Sequence, residues 1–294
     1  GDIFWEKRTT FYGSVAYPIN QYQAIFGTWK GELRDALRPL EGGQYIPNAA
    51  TQGFLSSVGG GWSMSRGRFF NYSVSPEQAR TLAVVGELTH PWLGSRTRTY
   101  SSAADNDVDA VSPFTRLQLT SEWKEYRTLP WAQNHVAAFR LAGGVSLGDQ
   151  LAQGSFRLGG TIGDSSSYTL PTEYRALRGF PYGAAFGDSF YLASAEYRLP
   201  LWWIDRGVGL IPGYARNIHA AAFVDAGNAA GSFDDPDFVP GTLIGTGAEV
   251  RGSFIVGWAV PVSVRVGYGF ALKGDPGYAL GDPGGFYAWL GGSF

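Results

Sequence analysis

The sequence predicts an all-β chain, a transmembrane antiparallel up-and-down β-barrel. Three observations predict it. Residues alternate with period two over segments of about ten, which sets an apolar face against a polar one. Connectors alternate between short and long, the habit of barrels with short turns at one rim and long loops at the other. The chain of 294 residues is 15% aromatic and carries 42 Gly, yet its mean hydropathy is slightly negative. A helical membrane protein would be far more apolar, and no run approaches the ~18 apolar residues of a spanning helix.

The clearest strand is 262–272. Val262, Val264, Val266, Tyr268, Phe270 and Leu272 share one face, against Ser263, Arg265, Gly267, Gly269 and Ala271 on the other. From Tyr191, Ala193, Ala195, Tyr197 and Leu199 alternate with Leu192, Ser194, Glu196 and Arg198. From Ile244, the outward set is Ile244, Thr246, Ala248, Val250 and Phe254, and Gly247, Glu249, Arg251 and Ser253 point inward. Comparable segments run at about 9–19, 22–34, 53–64, 80–91, 114–128, 135–147, 217–227 and 286–294, with a further short one near 3–8. About twelve strands are therefore readable. Short turns lie near Asn20, Pro130 and Val260, and long Gly/Asp/Ser/Pro-rich loops span about 36–51, 97–112, 148–188, 228–240 and 273–285. The connectors at about 65–79 and 200–216 fit the alternation less well. Trp62, Trp92, Trp123, Trp131, Trp202, Trp203 and Trp258 fall near strand ends, as an interfacial girdle requires. A soluble β-sandwich or soluble barrel is the alternative, but its strands are usually shorter and its outer faces less aromatic.

One domain covers 1–294, with no internal repeat or linker. A net charge of −2 leaves no basic footprint for nucleic acid. With no cysteine there are no disulfides and no thiol chemistry, which suits an oxidising envelope. The chain opens at Gly1 without Met or signal peptide. The expectation is a mature or truncated piece whose upstream part is missing.

Three motifs carry a resemblance. Leu177-Arg178-Gly179-Phe180 lies in the longest loop, about 148–188, after Phe156-Arg157-Leu158-Gly159-Gly160. Phe223-Val224-Asp225-Ala226-Gly227 forms a strand. Phe286-Tyr287-Ala288-Trp289-Leu290-Gly291-Gly292-Ser293-Phe294 ends the chain. Together and in this order, with five strands after the Arg-Gly-Phe loop, they resemble the BamA/TamA family of outer-membrane assembly factors, also called bacterial surface antigens. The resemblance is best from about residue 52 onward. Gly61-Trp62-Ser63-Met64-Ser65 and Tyr72-Ser73-Val74-Ser75-Pro76-Glu77 look most like the barrels found behind TolB-type propellers.

The resemblance implies a loop that folds back into the lumen, with Arg178, Gly179 and Phe180 at its tip. It also implies that Arg178 meets Glu196 and Asp225 in a structural latch. The residues are compatible with that. Asp225 shares a strand face with Phe223 and Gly227, opposite Ala222, Val224 and Ala226, so only its face can be the lumen. A guanidinium fork can meet one or both carboxylates. A solvated Arg178, or an Asp225 paired with another strand's Arg, stays open. The family barrel has sixteen strands and is preceded by periplasmic receiving modules; either the missing strands lie upstream of Gly1, with the modules, or this is a smaller barrel, or residues 1–80 hold more strands than are readable.

The expected function is non-enzymatic insertion or translocation of proteins or lipids at the outer membrane of a Gram-negative-type cell. It would act through a labile seam between first and last strands, weakened by Gly291 and Gly292. Phe286, Leu290 and Phe294 form the terminal signal. Expected partners are outer-membrane lipid, lipopolysaccharide, and nascent outer-membrane proteins or other subunits. A structural membrane anchor in a larger complex and a passive pore are the alternatives.

No residue set points to a cofactor, a metal or catalysis. His90, His135 and His219 are far apart and read as isolated polar residues at strand ends. Gly187-Asp188-Ser189 looks like a hydrolase block, but lacks the strand-to-helix turn and the downstream Asp-x-x-His. Asp105-Asn106-Asp107-Val108-Asp109 alternates oxygen donors without the Gly and Glu of an EF-hand loop. It reads as a solvated outer loop, with weak Ca²⁺ or lipopolysaccharide-bridging cation binding as the alternative; Asp234-Asp235-Pro236-Asp237 reads the same way. Gly59-Gly60-Gly61 sits in a strand and not before a helix, against phosphate binding.

Overall fold

A computed structural model describes residues 5–37, 40–41, 44–45, 51–68, 75–100, 108–151, 154–160, 174–207, 212–231, 241–257, 259–274 and 284–292. Eleven strands form the wall, each antiparallel to the next in chain order. They are β1 (Trp5–Asn20), β2 (Gln23–Leu37), β3 (Gln52–Arg68), β4 (Gln78–Thr89), β5 (Arg116–Thr128), β6 (Val136–Gly148), β7 (Ser189–Gly207), β8 (Gly213–Ala230), β9 (Leu243–Val256), β10 (Val260–Lys273) and β11 (Gly285–Gly292). Among the described residues β1 and β11 stand at the two ends of this pairing order. No described helix is long and apolar enough to cross a membrane.

Two sequence expectations are corrected here. The segments near 3–8 and 9–19 are one strand of sixteen residues, so the wall has eleven strands where about twelve were expected. The region 97–112, expected as loop, contains the hairpin Arg96–Tyr100 with Val108–Pro113, which pairs with Gln52–Phe54 of β3 and brings the sheet to thirteen strands. Its exposed residues include Arg96, Arg98, Thr99 and Ser112. With water on both sides it has no apolar face, and so no period-two signal.

Strand length explains the two connectors that fitted less well. A tilted crossing needs about 9–11 residues, whereas β3 has 17 and β7 has 19. These strands overrun the apolar layer and absorb most of the 200–216 connector and part of the 65–79 one. β7 does so irregularly, with register shifts between Pro200 and Trp202 and between Trp203 and Arg206. A bulge is where a proline, lacking its N–H, is tolerated in a strand. Short connectors then lie at one rim throughout and long ones at the other.

The faces divide as the alternation requires. Val224, Val250, Val266, Tyr268 and Phe270 are exposed outward, while their strand neighbours Phe223, Asp225, Glu249 and Arg251 are buried inside. Many charges on the inner face are paired. In the β2–β4 region, Lys30 Nζ lies 3.3 Å from Glu32 and 3.0 Å from Glu87, and Ser57 donates to Glu87 at 2.6 Å. Pairing offsets the desolvation that burial imposes on each ion.

Candidate functional site at the loop tip

The connector from β6 to β7 builds a small sheet of its own. Phe156–Leu158 pairs antiparallel with Ala185–Gly187 and parallel with Tyr174–Arg175. Its root is tied to the wall through Asp188: Ser155 Oγ donates to Asp188 Oδ1 at 2.5 Å, and the Asp188 amide donates to Ala230 O at 2.8 Å. Ser189 Oγ donates to the same Ala230 carbonyl at 3.3 Å. Gly187-Asp188-Ser189 is thus an anchoring segment at the start of β7.

Apolar packing seats the loop. Phe156, Leu158, Leu177, Phe180 and Ala184 form one buried cluster with the wall residues Ala142, Phe190, Leu192, Ala229 and Leu243. The preceding glycines hold the tip in place. Gly159 N–H donates to Arg175 O at 3.1 Å and Gly160 N–H to Phe180 O at 2.9 Å.

The tip rests directly on the wall backbone. Gly179 has φ +91°, and a Cβ there would lie 2.7 Å from Phe270 O. A Cβ on Gly245 would lie 1.9 Å from Arg178 O. A left-handed residue against bare strand backbone requires glycine on the loop, and the close approach requires glycine on the wall.

Arg178 turns down the inner face. Its Nε donates to Asp225 Oδ2 at 2.7 Å and its Nη2 to Asp225 Oδ1 at 2.8 Å. Nη1 donates to Glu196 Oε1 at 2.6 Å and lies 3.5 Å from Glu249 Oε1. Nη2 also donates to Ser194 Oγ at 3.2 Å, and Ser194 Oγ donates to Asp225 Oδ1 at 2.5 Å. The guanidinium carbon stands 3.8 Å from the centre of the Phe223 ring.

Strand register explains why these groups converge. Ser194 pairs with Asp225 and Asp225 with Gly245; Glu196 pairs with Phe223 and Phe223 with Gly247. One row below, Arg198 pairs with Ala221 and Ala221 with Glu249. Arg198 donates to Glu196 Oε2 at 2.8 and 2.6 Å, and Arg251 reaches Glu196 at 3.0 and 3.1 Å while ion-pairing with Glu249. Arg178, Arg198 and Arg251 thus face Glu196, Asp225 and Glu249, three cations against three anions. Such a set holds side chains in place by complementary charge.

Of the residues singled out in the sequence, Arg178, Gly179, Phe180, Glu196 and Asp225 come together here. Glu249, Arg251 and Ser194 join them, and their inward parity was the only signal for them. The terminal group is dispersed. Phe286 and Leu290 are exposed on the outer face. Gly291 and Gly292 pair with Ser263 and Val262, and Phe294 lies outside the described residues.

The histidines are separate from this network's ion pairs. His90 accepts from the Trp92 amide at 3.2 Å, and His135 Nδ1 meets Tyr197 Oη at 2.6 Å. His219 lies within β8 on the inner face, not at a strand end, and is buried beside Asn217. The glycine run 59–61 lies within β3. Asp105 to Asp107 and Asp234 to Asp237 lie outside the described residues.

No family model and no curated protein matches the sequence. Solved structures do. A BamA from Haemophilus ducreyi lacking POTRA domains 1–3 superposes with a TM-score of 0.58 at 13% identity, over 98% of this chain and 55% of that one. CdiB from Escherichia coli superposes with a TM-score of 0.58 at 18% identity, over 97% of this chain and 44% of that one. The chain spans about half the length of these structures. Its fold is that of the BamA and CdiB barrels, the fold that the three sequence motifs predict.

Proposed function

We propose that the chain is the barrel of an outer-membrane protein that inserts or translocates other chains without covalent catalysis. The likeness of fold to BamA and CdiB over nearly its whole length is the observation that carries this reading. The last strand supports it. β11 has 8 residues against 14 in β10, so it offers fewer ladder bonds than the strand it pairs with. A strand edge with unpaired N–H and C=O groups can template an incoming strand. The partners of such an edge are nascent outer-membrane proteins, with lipid and lipopolysaccharide around them. The ionic network around Arg178 keeps the inner wall in register while the edge loosens.

The same dense network favours a second reading, a membrane anchor for partner subunits or a soluble domain. A passive pore fits less well, because the loop tip occupies the inner face.

The test is the folding of a urea-unfolded small outer-membrane barrel into vesicles with and without the full-length protein. Exchange of amide hydrogens is measured in parallel on Phe286–Leu290 and Val262–Leu272. Faster client folding with rapid exchange confined to the last strand is expected. Unchanged client folding with equal, strong protection in both strands would overturn the proposal in favour of the anchor.

A further inference from the structure

The network that receives Arg178 continues past it to the last strand. Tyr287 of β11 donates its phenol to Glu249 Oε2 at 2.8 Å. Glu249 is the carboxylate whose other oxygen faces Arg178 Nη1 at 3.5 Å and accepts from Arg251 Nε at 2.5 Å. Tyr287 reaches it across β10. Its register partner there is Gly267, and the partner of Gly267 on the far side is Glu249. A Cβ on Gly267 would lie 2.7 Å from Glu249 Cβ and from both Cζ and Oη of Tyr287. The ring lies over the bare backbone of that position, and a side chain there would push it off.

A second link joins the same two elements higher up. Gly284 N–H, just before β11, donates to Gly179 O at 2.9 Å. The tip therefore holds the last strand twice: by main chain at Gly284, and three residues on through Arg178, Glu249 and Tyr287. Lifting the tip withdraws one of the two cations that face Glu249 Oε1, leaving Arg251, and breaks the Gly284 bond at once.

We infer that Tyr287 is a positioning residue that couples the seating of the loop tip to the closure of the last strand on β10. The coupling rests on the proposed labile edge, but it is a property of the barrel and holds whatever passes through the edge. By reciprocity, loosening the strand loosens the tip as much as the reverse. A ring that merely filled space over Gly267 would work equally well without its hydroxyl.

The experiment is hydrogen exchange on the full-length protein in lipid nanodiscs, following Gly285–Gly292, the tip Leu177–Phe180, and β8 as an internal reference. Tyr287→Phe keeps the ring and deletes the charge-assisted hydrogen bond. About tenfold faster exchange is expected in both the last strand and the tip, with β8 unchanged. Gly267→Ala, which crowds both the ring and the Glu249 side chain that it reaches, should change the same two segments. Unchanged exchange in Tyr287→Phe, or a change confined to the last strand, overturns the coupling. If Tyr287→Phe does not assemble, Glu249→Gln takes its place and must move the same two segments by at least as large a factor, because it weakens the contacts to Arg178 and Arg251 as well. Coupling without any client folding by the wild type would leave this inference standing and remove the proposed function; client folding without coupling would do the opposite.

Discussion

Arg178 and Asp225 meet through two near-parallel hydrogen bonds of 2.7 and 2.8 Å, and the Arg178 amide donates to the same carboxylate at 3.1 Å. This fork is specific to a guanidinium, because an ammonium cannot span both oxygens. Arg178→Ala leaves buried Asp225 and Glu196 short of a cation, and should cost about 3–5 kcal/mol. Arg178→Lys should recover only part of it. Guanidinium unfolding of the reconstituted barrel, followed by tryptophan fluorescence, measures both; a silent Arg178→Ala would mean that the contact is dispensable.

Gly245 gives an independent handle on the same docking. Its Cβ would collide with Arg178 O at 1.9 Å, and that oxygen is main chain that cannot swing aside. Gly245→Ala should therefore raise the tip while leaving the wall folded, at a cost of about 1–3 kcal/mol. Trypsin applied from the outer side should then cleave after Arg175 and Arg178. Gly231→Ala, where an added Cβ meets nothing within 4 Å, is the matched control and should resist cleavage like the wild type.

How much of this was legible in the sequence depended on which physical signal each element carries. Lipid on one side and polar or small residues on the other write the wall plainly into residues such as Val266 against Arg265. The hairpin around Thr99 was invisible because both of its faces meet water. Asp225 and Glu196 could be tied to Arg178 only through the family resemblance. Glu249 had the right parity but no sign that its strand passes beside the tip. Tyr287 was hidden inside the terminal aromatic run, where Phe286 and Leu290 drew the reading; yet those two face outward. Contacts between side chains on three consecutive strands depend on register, and register is not printed in a single sequence.

The outer face makes its own depth-dependent prediction. Val266 lies mid-strand in β10 and is half exposed, as is Val256 at the turn-proximal end of β9. An arginine at the bilayer midplane costs about 2–4 kcal/mol, falling to about 0–1 near the interface. Val266→Arg should therefore destabilise the vesicle-embedded barrel strongly, and Val256→Arg little. Equal effects would place the apolar layer elsewhere on the wall.

Phe223 is the remaining member of the site whose contribution can be isolated. Its ring lies under the Arg178 guanidinium at 3.8 Å, and the ring's Cζ approaches within 2.8 Å of the position a Cβ on Gly247 would occupy. The ring therefore supplies both a π face for the cation and the floor on which the fork lies flat. Phe223→Leu keeps the floor apolar and removes the π face. The expected loss is about 1–2 kcal/mol when Arg178 is present. In an Arg178→Lys background the loss should shrink, because the planar stacking of the guanidinium has already gone. Unfolding free energies of the four proteins in this cycle decide the matter. An undiminished loss in the Lys background would assign Phe223 to packing alone, and Arg178 would then be held by its carboxylates without help from the ring.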